Sequence, residues 1–314
     1  MKSIKIEDLS APLFIAWQIN AECNLGCLHC CEEAGHSIPN ELNTDEIFDF
    51  CKQIVELKIP YVAISGGEPL LHPDFFKVCE FFHNHKISFK VETNGEFIDE
   101  NVANKIAELN FRSVQISWDG ATPETHQKLR AGGNWKKVLR ATELLVKKGV
   151  NVEVVFVPTK FNIHEISDVI DLAYSYGVSA VYTGKIMRIG RAAKNWNLLC
   201  PSDEEYKKFF ETLQQKSALY EGKMKVYYYP YDVIEELKYR LENPAASLLV
   251  LPNGKVKLIG PLPFICGDLR KHSLQQIWIN YKKFWKSPEV IKYAKRVINN
   301  SELLAESNKW IELY

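Results

Sequence analysis

Four of the eight cysteines fall within nine positions of one short stretch, AECNLGCLHCCEEAG (21–35). Cys23, Cys27 and Cys30 are spaced C-x3-C-x2-C, and Cys31 follows at once. Four kinds of chemistry use cysteines this way. A disulfide staple needs an oxidising compartment. A zinc knuckle needs a fourth ligand and usually paired C-x2-C units; Cys31 or His29 could supply the ligand, but both crowd against Cys30. A dithiol redox pair matches CLHC and leaves Cys23 unexplained. An iron–sulfur cluster is held by soft thiolates, and three of them on a four-iron cluster leave one iron open to a substrate or cofactor.

These thiols need a platform. LFIAWQIN (13–20) is a β-rich run that leads straight into the cysteine loop. LNTDEIFDFCKQIVELK (42–58) has helical periodicity in Ile47, Phe48, Cys51, Ile54 and Val55, and Asn43 with Glu46 gives a helix start signal. Strands then alternate with helices: strand 61–69, helix 74–84, strand 88–95, helix 99–109, strand 113–120, helix 135–148, strand 151–159, helix 164–176, strand 179–185 and a last helix at 203–215. Such alternation predicts a parallel sheet with helices outside. Ligands sit at the carboxyl ends of the strands in these sheets. The cysteine loop, SGGEP (65–69), ETNG (92–95) and SWDG (117–120) each follow a strand, so their polar residues converge on one mouth. From about 217 the rhythm fails. MKVYYYPYDVIEEL and SLLVLPNGKVKLIG read as strand segments, the second with a PNG hairpin turn, and SLQQIWINYKKF reads as a helix.

The whole chain sets the class. Its 314 residues suit one large α/β domain or two domains. Apolar residues make up 46% and charged residues 25%, as in globular proteins, and the formal net charge is zero. That balance speaks against a strong electrostatic hold on nucleic acid or acidic membrane. MKSIKIEDLSAPLFIAW carries no signal-peptide pattern, and no apolar run approaches the roughly 20 residues of a membrane span. A cytoplasmic location is expected, where clustered cysteines bind metal or do redox work more often than they form disulfides.

C-x3-C-x-aromatic-C after a first strand is the signature of the radical S-adenosylmethionine (radical SAM) superfamily, and CNLGCLHC resembles it, with His29 in the aromatic slot. SGGEP resembles that family's glycine-rich motif, ETNG and SWDG resemble its later strand ends, and RIGRA (188–192) resembles the segment that packs near adenine. The resemblance covers roughly residues 13 to 215 and implies a partial (β/α)6 barrel. It implies that Cys23, Cys27 and Cys30 ligate three irons of one [4Fe-4S] cluster, whose fourth iron binds S-adenosylmethionine. One electron then breaks a carbon–sulfur bond and yields a 5′-deoxyadenosyl radical. Cofactor contacts are implied at His29, Gly66, Gly67, Glu68, Pro69, Thr93, Asn94, Ser117, Asp119 and Arg130. Plainer readings stand beside these. Glu68 also reads as a turn carboxylate, Ser117 and Asp119 as strand-end caps, and Arg130 as a solvated helix-flank arginine. Gly66 and Gly67 are expected to let backbone approach the ligand closely. Cys51 and Cys79 read as core, and Cys31 as packing.

LPNGKVKLIGPLPFICGDLRKHSLQQIW (251–278) resembles the SPASM or twitch extension of radical SAM enzymes, but lacks the cysteines of a full auxiliary cluster. The expected division is a radical SAM core at 1–216 and a smaller α+β extension at 217–314. Cys266 stands alone there; it reads as a packed cysteine or as a hydrogen donor to a substrate radical. Cys200 carries no assigned role. The expected activity is radical modification of a peptide or amino-acid-derived substrate. The alternative is a decarboxylase, dehydrogenase or rearranging enzyme on a small metabolite, and a structural zinc protein is the contrasting class. Implied partners are an electron donor such as flavodoxin or ferredoxin and a separate leader-peptide-binding protein, with no nucleic acid and no membrane.

Overall fold

The computed structural model describes residues 5–314; the opening residues of the stretch read above for a targeting signal lie outside them. Local chemistry sets the repeating unit. The Asn43 side chain accepts from the Glu46 N–H, and the Glu46 carboxylate accepts from the Asn43 N–H, so helix α1 (Thr44–Glu56) starts where the sequence indicates. It ends on Lys58 in the left-handed region, φ 53°. The N–H groups of Lys58 and Ile59 return to the Val55 and Ile54 carbonyls, and the chain turns directly into the next strand. Lys86 and Asn110 take the same conformation after α2 (Phe75–Asn84) and α3 (Glu100–Glu108).

Six strands follow one another in a parallel sheet: β1 (Phe14–Gln18), β2 (Tyr61–Ser65), β3 (Ser88–Thr93), β4 (Ser113–Ser117), β5 (Val152–Phe156) and β6 (Ala180–Gly184). α4 (Pro123–Leu129) and α5 (Trp135–Lys147) join β4 to β5, and α6 (Ile166–Ser175) joins β5 to β6. The sequence reading missed α4, whose cap is Thr122. After β6 come the short α7 (Gly190–Lys194) and α8 (Trp196–Leu199), also unanticipated, and then α9 (Asp203–Leu219).

MKVYYYPYDVIEEL divides into β7 (Lys225–Tyr229) and α10 (Val233–Glu242), the helix being started by an Asp232/Glu235 capping box. β7 pairs parallel with β6. The rhythm therefore runs one unit past 217, because the Tyr-rich strand is half exposed and lacks the apolar run of a central strand. β8 (Ser247–Val250) pairs parallel with β1 on its other side, and β9 (Lys255–Lys257) returns antiparallel through the PNG turn as expected. β10 (Phe264–Asp268), α11 (Leu274–Phe284), α12 (Pro288–Asn299) and β11 (Ile311–Glu312) complete one eleven-stranded sheet with β7 and β11 as its edges. The sheet thus runs continuously across position 216.

Strand alternation separates two faces. In β3, Phe89, Val91 and Thr93 are buried, while Lys90 and Glu92 are half-buried and paired at 2.8 Å. On the same face, Gln115 donates to Glu153 at 3.3 Å, and Tyr182 stacks on Tyr227 at 4.8 Å. The other face carries the apolar core, where Trp17 meets Phe50 edge-on at 5.2 Å. Burying each such ring contributes about 1.5–3 kcal/mol. Among the described residues no helix is long and apolar enough to cross a membrane.

Candidate active site

The carboxyl ends of the central strands open on a cavity of about 480 Å³. Its wall contains Cys23, Cys27, His29 and Cys30 from the first loop, Gly66 and Gly67 after β2, Thr93 and Asn94 at the end of β3, Ser117 at the end of β4, and Arg130. Ten of the sequence-predicted residues are thereby brought together. Glu68, Pro69, Asp119 and Cys266 do not line it. All eight cysteines are free thiols. Burial pushes the Cys27 thiol up to about 11 and raises Cys23, and Cys30 beside them adds to both. Any metal bound here must therefore displace protons. Among the described residues, no three His, Cys, Asp or Glu side chains draw together as they would around a single ion.

The cysteine loop is held from three sides. Gly26 and Leu28 donate their N–H groups to the Ala131 and Leu129 carbonyls. From α7, Arg191 donates its N–H to the Cys30 carbonyl, Nε to the Cys27 carbonyl at 2.8 Å and Nη1 to the Ala34 carbonyl at 2.7 Å. Asn195 reaches the Leu28 carbonyl at 3.0 Å, and Asn308 from the C-terminal tail reaches the Cys31 carbonyl at 3.1 Å. Gly190 has φ +60°, and a Cβ there would lie 2.8 Å from the Cys30 carbonyl oxygen. RIGRA is thus a clamp on the loop. Sequence reasoning placed the segment near the cavity but missed Arg191 and Asn195 as carbonyl donors; the side-chain amide and guanidinium of a short helix gave no periodic signal. Gln18, Gln115 and Tyr182 also line the cavity and were missed, although alternation along β1, β4 and β6 places them on the inner face.

SGGEP is tied to the cysteine loop through its main chain. Gly67 donates to the Asn20 carbonyl and Glu68 to the Glu22 carbonyl, extending the β1–β2 pairing into the loop. A Cβ on Gly67 would collide with the Glu22 carbonyl and lie 2.7 Å from that of Ala21. One close approach here that demands glycine is to the cysteine loop's own backbone. Glu68 is fully buried, and its carboxylate accepts from Thr93 Oγ1 at 2.7 Å, the Asn94 N–H at 2.8 Å and the Leu70 N–H at 3.2 Å. It ties the glycine turn to the end of β3.

Burial pushes the Glu68 carboxyl up to about 7 in spite of these donors. Its unfolded value is about 4.3. This group's contribution to stability is therefore fully present below that value and is lost as pH rises through 7. In Glu68→Gln an amide NH2 must face at least one of these donors, and an unsatisfied buried donor costs about 1–3 kcal/mol. Denaturant unfolding across pH is expected to show Glu68→Gln less stable by that amount in acid, with the deficit shrinking toward and above neutral pH.

Asp119 is fully buried and serves three groups. Oδ2 accepts from Arg130 Nε at 2.6 Å and pairs with His29 Nε2 at 3.0 Å, and Oδ1 accepts from the Val157 N–H at 3.0 Å. Desolvation pushes its carboxyl up, but Arg130 and His29 outweigh this and hold it well below the usual carboxylate range. Arg130 is buried rather than solvated, and its Nη1 lies 3.7 Å from Cys27 Sγ as donor. His29 is 8% exposed, and its Nδ1 has no partner in the described chain. Burial, then Arg130, pushes the neighbouring His126 down to about 3, so it stays neutral and accepts from the Asp119 N–H. Cys266 lies in the hydrophobic core, fully buried, with its thiol donating to the Val256 carbonyl at 3.3 Å. That position gives no support to a hydrogen-donor role, because the β9–β10 hairpin turns the residue inward. Cys51 and Cys79 are core residues, as expected.

Comparison with known proteins fits this arrangement. The Radical SAM superfamily profile matches residues 17–173, half of the chain. The chain belongs to the radical SAM superfamily. It is therefore an enzyme, with an α/β fold built on a parallel-rich sheet. Mycofactocin maturase MftC of Mycobacterium ulcerans is 32% identical over 209 residues, which is 66% of this chain and 56% of that relative. The chain thus spans about half the length of the mycofactocin maturases it matches. An AdoMet-dependent heme synthase of Methanosarcina barkeri is 28% identical over 308 residues, 90% of this chain and 87% of the relative. Among solved structures, Streptococcus suis SuiB bound to S-adenosylmethionine superposes with a TM-score of 0.72 at 14% identity, covering 94% of this chain and 76% of that one. SuiB bound to precursor peptide SuiA gives the same TM-score at 13% identity, covering 88% and 67%. These likenesses show that the chain shares its overall fold with SuiB.

Proposed function

We propose that this radical SAM enzyme holds one [4Fe-4S] cluster on Cys23, Cys27 and Cys30, binds S-adenosylmethionine in the adjoining cavity, and modifies a peptide or amino-acid-derived substrate. The observation that carries the reading is the convergence of three free thiols, the glycine turn and the β3 and β4 ends on one cavity. Three soft thiolates at this spacing, with no fourth protein ligand beside them that does not crowd Cys30, suit an iron–sulfur cluster with one open iron better than zinc. When bound, the cluster supplies the electron that cleaves S-adenosylmethionine to a 5′-deoxyadenosyl radical.

The chain's own residues do the rest. Asn94 and Thr93 line the cavity and are fixed by Glu68. Asn94 Nδ2 also donates to Asn24 inside the cysteine loop at 2.8 Å. Ser117 and His29 offer a hydroxyl and an unpaired ring nitrogen to the cofactor. Asp119 and Glu68 act from behind the wall. We treat residues 1–216 as the core and 217–314 as an extension; Cys266 is its only cysteine, so it lacks ligands for a full second cluster. Flavodoxin or ferredoxin would deliver the electron, and a separate protein would present a leader peptide.

The peptide reading draws on the names of mycofactocin maturase and of SuiB with its precursor peptide. A second reading, a tetrapyrrole or other small metabolite, is favoured by the heme synthase match, which runs through the C-terminal region. Anaerobic reconstitution is expected to give about four irons and four sulfides per chain. With dithionite and S-adenosylmethionine it is expected to release 5′-deoxyadenosine, measured by chromatography. Zinc without sulfide would overturn the reading. Faster 5′-deoxyadenosine release with a precursor peptide than with an iron porphyrin supports the peptide substrate, and the reverse supports the metabolite.

A further inference from the structure

We propose that Arg130 makes the cluster on Cys27 easier to reduce, and that Asp119 is the positioning residue that keeps the guanidinium on that sulfur. The inference rests on the reading that Cys27 is a cluster ligand. Main-chain register sets the placement. Gly26 and Leu28 donate to the carbonyls of Ala131 and Leu129, so residue 130 falls opposite residue 27. The side chain is then fixed at two points: Nε on Asp119 Oδ2 at 2.6 Å, and Nη1 on Cys27 Sγ at 3.7 Å. No partner for Nη2 occurs among the described residues, and Arg130 lines the cavity.

The pair is an oriented dipole. Asp119 is fully buried and binds Nε, while a different nitrogen of the same guanidinium, Nη1, presents its N–H and the positive charge to the sulfur. One-electron reduction adds one negative charge to the cluster and its thiolates. A donor N–H and a cation beside a ligating sulfur stabilise that added charge, which raises the potential. Burial keeps water from screening the effect. His29 on the same Asp119 oxygen braces the carboxylate, so the guanidinium cannot swing without breaking a buried ion pair. A freely solvated arginine would have neither constraint.

The test is an EPR-monitored redox titration of the reconstituted holoenzyme without S-adenosylmethionine, so that no contact of Arg130 with that molecule enters. Iron and sulfide are measured on every sample. Arg130→Gln is too short to span Asp119 and Cys27, and is expected to retain the cluster with a lower potential. The expected change is at least tenfold in the reduction equilibrium, about 59 mV for a one-electron couple. Arg130→Gln leaves Asp119 short of its main partner and could fail to fold. The Asp119→Asn/Arg130→Gln double variant removes both charges and should also titrate below the wild type. Arg130→Lys keeps the charge without the two-point hold and should fall between wild type and Arg130→Gln. A variant with full iron content and an unchanged potential would overturn the proposal. A wild type that binds no iron and sulfide would instead overturn the cluster assignment beneath it.

Discussion

Cys27→Ala is expected to lose the iron–sulfide absorbance and EPR signal and to form no 5′-deoxyadenosine, while the chain stays folded. Cys27 is the central and most buried of the three loop thiols, and two remaining thiolates hold a four-iron cluster poorly. Its carbonyl, and not its thiol, carries the structural bond to Arg191 at 2.8 Å, so alanine preserves the loop's main-chain scaffold. The variant loses the Arg130 Nη1 contact at 3.7 Å, but Arg130 keeps its bond to Asp119 at 2.6 Å. Circular dichroism and the unfolding midpoint should therefore move little, with about 1 kcal/mol lost for a small buried group. Undiminished 5′-deoxyadenosine in this variant would place the cluster elsewhere.

Gly67→Val is expected to have the largest effect on folding. The new Cβ would collide with the Glu22 carbonyl, and backbone on both sides is tied by the Gly67-to-Asn20 and Glu68-to-Glu22 bonds. A flexible side chain could yield, but paired backbone cannot. The cost is expected to reach about 3 kcal/mol or more, at the upper end of overpacking penalties. Denaturant unfolding should show it, and cluster yield should fall in step because the same collision displaces the segment carrying Cys23. Normal stability with only weakened S-adenosylmethionine binding would instead restore a direct ligand role for this glycine.

Much of the frame was legible because its signals are local. The helix start at Asn43 and Glu46, the apolar period of α1 and the PNG hairpin each depend on residues a few positions apart. The strand ends carried SGGEP, ETNG and SWDG, and parallel order alone sends those ends to one mouth. The strand β7 is legible in that stretch, but its place in the parallel order and the helix α10 are not, because an exposed edge strand rich in tyrosine has no apolar run and the helix behind it looks like its continuation.

The sequence by itself determined the chemistry on offer: three thiols at C-x3-C-x2-C after a first strand, and the glycine and polar turns that follow the next strands. Spacing and residue type are properties of one short segment, so they survive without a structure. Only the tertiary structure decided what each polar residue faces. It made Glu68 and Asp119 buried braces, set Arg130 on a thiol more than 100 residues away in sequence, and made Arg191 a clamp. It also took Cys266 into the core. The physical reason is that a side chain's role follows from its burial and its partners, and those are set where distant strands and loops meet.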